Sequence, residues 1–102
     1  MPVVYFLNTL RPEASPDAYE RWVRDVDYPT ARSLPQITSY VVTRATGTLE
    51  GDASPYDYVE RVEITDLGDY QAMLASPAME AFAAEWSSFV GESIGLVGEE
   101  IA

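Results

Sequence analysis

Asp27-Tyr28-Pro29 sets a carboxylate beside a phenol at the end of an amphipathic stretch, in a chain without a single His, Cys or Lys. Those absences remove imidazole bases, thiolate and amine nucleophiles, and nitrogen or sulfur metal ligands. Proton transfer falls to Asp, Glu and Tyr, with Arg the only side-chain cation. Helical geometry puts Asp27 beside Val23, on the border of an apolar stripe. A carboxylate at the mouth of an apolar cleft has a raised pKa and exchanges protons near neutrality. The plain alternative is an ion pair with Arg24 or Arg32, or exposure to water. An acid near a helix C-terminus opposes the helix dipole, which argues for a purpose other than helix stability.

Glu60 is the second oddity. Strict alternation in its strand puts it on one face with Tyr58, Val62 and Ile64, while Asp57, Val59, Arg61 and Glu63 point the other way. A glutamate on that apolar side is costly unless it is paired or wet. An Arg44–Glu60 pair across neighbouring strands would satisfy it and fix register; otherwise Glu60 is an acid/base group lining a cavity. Asn8 likewise interrupts the Val4, Phe6, Leu10 face of the first strand. With Asp27, Tyr28 and Glu60 as the catalytic candidates, the groups that could hold a substrate are Asn8, Trp22, Tyr40, Arg44, Tyr58 and Trp86. For Trp22 and Trp86, both at core spacing on helices, packing against the sheet is the ordinary role. Nothing matches a phosphate loop, a dinucleotide fingerprint or a metal spacing.

Six elements must position these groups. Val3 to Leu10 is almost continuously apolar, as in a strand buried on both faces and central in its sheet. Ser15-Pro16-Asp17 starts a helix, with Ser15 as N-cap and Pro16 at the first helical position. Ala18, Tyr19, Trp22, Val23 and Val26 form its apolar stripe. Pro29 disfavours helical angles in the residue before it, so the helix should end by Tyr28, leaving Pro29 to Gln36 as a connector. Ile37 to Ala45 and Tyr56 to Ile64 read as strands. The loop between them, Thr46 to Pro55, is the expected mobile element. Asp66 to Ala75 and Pro77 to Val90 read as helix, broken at Ser76-Pro77 with Ser76 capping the second part. Ser93 to Ile101 is a weaker final strand, its Gly95 and Gly98 read as close packing.

The order β-α-β-β-α-β predicts an α+β, ferredoxin-like fold. It is one domain over residues 1–102, with helices on one face of a four-stranded antiparallel sheet. The uncovered face then needs a partner, and a second copy of the chain is the simplest one.

Composition narrows the function further. Net charge is −11, from 6 basic against 17 acidic residues, so a nucleic-acid backbone or an anionic membrane surface would be repelled. No apolar run approaches the roughly 20 residues needed to span a bilayer. The start Met1-Pro2-Val3-Val4 lacks a charged leader region, so the expected location is the cytoplasm.

Tyr19-Glu20-Arg21-Trp22 through Asp27-Tyr28-Pro29, then Leu34-Pro35, then Ser54-Pro55-Tyr56-Asp57-Tyr58-Val59-Glu60 resembles the RedY/HapK proteins. The resemblance extends over nearly the whole chain, including the Ser76-Pro77 break. It implies a dimeric α+β barrel and a role in secondary metabolism, in prodiginine-type or bisindole pathways. The implied substrate is a small pyrrole- or indole-derived aromatic intermediate. Many related α+β-barrel enzymes use a histidine base, so their mechanism does not carry over here, and a histidine-held haem is excluded. The expected activity is cyclisation, condensation or dehydration without cofactor or metal, driven by carboxylate and tyrosine proton transfer. A carrier for a hydrophobic intermediate and a plain dimerising module are the alternatives.

Overall fold

The computed structural model describes all 102 residues. Four strands form one antiparallel sheet in the order β2-β3-β1-β4: β1 Pro2–Leu10, β2 Ile37–Arg44, β3 Tyr58–Ile64 and β4 Val90–Glu99. The apolar β1 lies inside the sheet between β3 and β4. The fold is α+β and ferredoxin-like, with both helical regions packed on one sheet face. β3 alternates cleanly, Tyr58, Glu60, Val62 and Ile64 being buried while Val59, Arg61 and Glu63 are partly exposed.

The first helical region departs from expectation, and the departure sets up the site. α1 (Pro16–Trp22) begins as its sequence demands, with Ser15 Oγ accepting from the Ala18 amide at 3.2 Å. It does not stop at Tyr28. A π-helical turn, Val23–Asp27, runs into α2 (Tyr28–Ser33), and Tyr28 itself has helical angles. Pro29 is tolerated because it stands in the first turn of α2, where the preceding π turn has already broken the regular hydrogen-bond ladder. One extra residue in that turn rotates Asp27 from the border of the stripe into the interior.

A second irregularity lies in β2. A register shift between Ile37 and Ser39 puts Ile37 opposite Ile64 and Tyr40 opposite Val62. Ile37 therefore shares the inner face with Tyr40, contrary to simple alternation. In the second helical region, α3 (Leu67–Leu74) is capped by Asp66 and α4 spans Glu80–Phe89, joined through a 3₁₀ turn at Pro77–Met79. The break falls where expected, but the Ser76 side chain does not cap it. Its hydroxyl donates to the Met73 carbonyl at 2.6 Å.

Two apolar clusters fill the helix–sheet layer. One gathers Val4, Val62, Ile64, Tyr70, Met73 and Met79; the other Tyr19, Trp22, Val23, Tyr58 and Val90. The opposite sheet face carries Tyr5 and Leu7 with the exposed Val41, Ile94 and Leu96. The final strand starts at Val90, directly after α4, and not at Ser93. Gly95 lies against Phe6, a Cβ there standing 3.4 Å from the ring.

Candidate active site

Three polar side chains are buried in this molecule: Asn8 at 0%, Asp27 at 2% and Glu60 at 3% exposure. They belong to one network. Tyr40, from β2, places its hydroxyl 2.7 Å from Asp27 Oδ2 and 2.5 Å from Glu60 Oε1. Asn8, from β1, donates its amide to Glu60 Oε2 at 2.9 Å. Ser93, from β4, donates to Asn8 Oδ1 at 2.6 Å. Four strands and the π turn thus each contribute to one constellation. Neither carboxyl is ion-paired with an arginine.

That arrangement fixes a proton count. A phenol has one proton and can donate to only one of the two carboxyls. The other contact at hydrogen-bond distance requires a proton on the carboxyl itself. Burial supplies the reason it stays: desolvation pushes Asp27 up to about 7, with the neighbouring Glu60 charge adding to it and the Tyr40 hydrogen bond opposing it. Desolvation also raises Glu60, against hydrogen bonds from Tyr40 and Asn8 that favour its ionised form. Tyr40 is held far above the ordinary phenol range by burial and by both carboxyls, so it is neutral and can pass a proton without ionising.

The pair opens onto a cavity of about 200 Å³. Phe6 and Ile37 line it from the sheet and Ala31 and Leu34 from α2. Met73, Met79, Phe82 and Trp86 close the far side. Asp27, Glu60 and Tyr40 supply its polar end, with Thr30 and Tyr70 nearby. An apolar chamber with one proton-active wall can orient a flat molecule and exchange a proton with it.

The other sequence candidates lie elsewhere. Arg44 does not reach Glu60; it grips Glu20 of α1 through two hydrogen bonds, 2.7 and 2.6 Å. Register explains this, since Arg44 stands opposite Tyr58 while Val42 stands opposite Glu60. Tyr58 donates to the same Glu20 at 2.7 Å and is not in the cavity. The Tyr28 hydroxyl accepts from the Val42 amide at 2.8 Å, on the free edge of β2, with its ring under the Arg32 guanidinium. Trp22 is core, its indole N–H directed to Glu85 at 3.3 Å. Of the nine candidates, the cavity wall takes Asp27, Glu60, Tyr40 and Trp86, with Asn8 behind Glu60.

Sequence reading missed Ser93, a small hydroxyl on a strand too weak to assign a face. It also missed Tyr19, counted as apolar stripe. The Tyr19 hydroxyl is fully buried beside the Asn8 amide without a hydrogen bond of ordinary geometry; burial foremost, then the charges of Glu60 and Asp27, raise it above the phenol range, and Asn8 opposes the rise. The methionines of the far wall carry no signal that separates lining from core.

Residues 2–101 match the model of the family described as REDY-like protein HapK. The chain belongs to that family. The crystal structure of HapK from Hahella chejuensis is 30% identical, with a TM-score of 0.83 over 99% of this chain and 93% of that one. Beyond HapK the likeness is one of fold alone. Hydroxynitrile lyase from Passiflora edulis is 13% identical at TM-score 0.76, over 95% of this chain and 90% of that one. A dimeric ferredoxin-like protein of unknown function from Thermobifida fusca is 16% identical at TM-score 0.70, over 96% and 90%. Among curated proteins, none matches the chain in sequence.

Proposed function

We propose that this HapK-family protein is a cofactor-independent enzyme of secondary metabolism. It would promote cyclisation, condensation or dehydration of a reactive pyrrole- or indole-derived intermediate of the prodiginine or bisindole type. The observation that carries this reading is the Asp27–Tyr40–Glu60 unit, two buried carboxyls bridged by one phenol at the polar end of an apolar cavity. In a cyclodehydration, ionised Glu60 takes the proton from the attacking N–H or O–H as the new ring bond forms. Asp27 gives its proton to the departing hydroxyl, which leaves as water. Tyr40 then resets the pair: it accepts the proton from Glu60 while passing its own to Asp27. No proton, electron or co-reactant is consumed, which suits a site built from Asp, Glu and Tyr alone. Trp86 and Phe6 hold the aromatic plane, so proximity supplies much of the rate for a substrate already prone to react.

The protein would work as a homodimer, with the exposed Val41, Ile94 and Leu96 of the bare sheet face covered by a second copy. A monomeric mass by light scattering at micromolar concentration would count against that assembly. The catalytic reading is tested by Asp27→Asn and Glu60→Gln, assayed separately in a reconstituted pathway, with aromatic ligand binding followed by quenching of Trp86 fluorescence. Loss of turnover with binding retained is the expected result. Parental turnover in both variants, with ligand still bound, would instead favour the carrier that the apolar walls could equally serve.

A further inference from the structure

We propose that Ser93, on the edge strand β4, is a positioning residue that gives the two carboxyls their separate roles, Glu60 as base and Asp27 as acid. This rests on the proton-transfer reading of the pair, and goes beyond it by naming what breaks the symmetry between two buried carboxyls that share one phenol.

Asn8 connects Ser93 to Glu60. Its amide presents an oxygen on one side and an NH₂ on the other, nearly equal in size, and the surrounding hydrogen bonds decide which faces which neighbour. The chain places Asn8 on β1 directly opposite Ser93 of β4 and Tyr58 of β3. Ser93 Oγ lies 2.6 Å from Asn8 Oδ1, and its hydroxyl donates there. The amide nitrogen is thereby turned to Glu60 Oε2 at 2.9 Å. Glu60 then accepts from two donors, Asn8 and the single Tyr40 proton, whereas Asp27, left without a donor, gives its own proton to the Tyr40 oxygen. Donors to the ionised form favour ionisation, so the negative charge settles on Glu60 and the proton on Asp27.

The Tyr19 hydroxyl also lies beside Asn8, and no cation pairs with either carboxyl. β2 faces the pair with Tyr40, α1 with Tyr19 and α3 with Tyr70, all phenols and uncharged near neutrality. α4 contributes Phe82 and Trp86 to the chamber, and β4 contributes Ser93 to the network. With the Ser93 hydroxyl gone, Asn8 Oδ1 loses its donor and the amide its anchor, so its N–H is held less firmly against Glu60 and the proton shifts from Asp27 toward Glu60. Ser93 itself lies on the exposed edge strand, so its substitution leaves the core intact.

The test uses ligand-free protein with ¹³C-labelled Asp and Glu carboxyls, titrated by NMR. Threonine and valine at position 93 have the same shape and differ only in the hydroxyl, so Ser93→Thr and Ser93→Val are compared beside Ser93→Ala. In the parent and in Ser93→Thr, Glu60 should ionise at lower pH than Asp27. In Ser93→Val and Ser93→Ala, the Glu60 midpoint should rise by about one pH unit, the scale of losing one donor to a buried carboxylate. An unchanged Glu60 midpoint in the valine variant overturns the role of Ser93 while leaving the coupled pair standing. An equal rise in the threonine variant overturns it too, because shape and not the hydroxyl would then be the cause. Two carboxyls titrating independently in the ordinary range in the parent would remove this inference together with the proton-transfer reading.

Discussion

Two tyrosine–carboxylate clusters lie on the same face of one sheet and behave in opposite ways. In the first, Tyr58 donates to Glu20 at 2.7 Å, and Arg44 clamps the same carboxylate. Arg44 foremost, and then Tyr58, pull Glu20 down to about 2, while Tyr58 is pushed up to about 12 by burial and the Glu20 contact. In the second, Tyr40 meets Asp27 and Glu60 at the same kind of distance, but no cation reaches them and both carboxyls are raised. The tyrosines are equivalent; the arginine and the depth are not. Buried and unpaired, the second cluster keeps a proton that the first gives up; its cavity is walled mainly by apolar side chains, whereas the first lines a separate one together with Arg24.

The comparison breaks most visibly in turnover. Glu60→Gln or Asp27→Asn should lower it by about 10²–10⁴, the usual contribution of a general acid or base, while Glu20→Gln should leave it near parental. Tyr40→Phe comes next, with turnover down by about 10- to 100-fold because the relay is cut while each carboxyl survives. Tyr58→Phe should have no such effect in the same assay.

Stability against pH separates the clusters by sign. Asp27 is raised in the folded chain, so its contribution is fully present below its ordinary pKa and is lost as pH rises through about 7. Denaturant melts should show the parent losing on the order of a few kcal/mol across that window, and Asp27→Asn flattening the loss. Glu20 is lowered, so its contribution is present above the ordinary carboxylate value and disappears only as pH falls toward about 2. The smallest effect belongs to Arg44→Met: its guanidinium is exposed, and thermal melting should move by no more than a few degrees.

Much of the scaffold was legible because local physics determines it. The apolar run of β1, the Ser15-Pro16 helix start and the alternation that buries Glu60 each follow from one residue's neighbours. The site was only half legible. That Glu60 was misplaced on an apolar face could be seen; its partner could not, because Arg44 and Tyr40 stand on the same face of β2 and register alone decides which reaches it. Asp27 looked peripheral because a regular helix was assumed, and a π turn is not written in residue types. Pro29, taken as a stop, instead opens the next helical segment. The far cavity wall comes from Met73 and Met79, whose packing depends on how the second helical region folds back over the sheet.

Whether the Asp27–Tyr40–Glu60 unit holds a proton near neutral pH is read most directly by infrared difference spectroscopy. Spectra of the parent minus the Asp27→Asn/Glu60→Gln double variant at pH about 6 should contain the carbonyl stretch of one protonated carboxylic acid, fading as pH rises through about 7. A difference spectrum showing only carboxylate bands at that pH would mean both carboxyls are ionised, and would contradict the account.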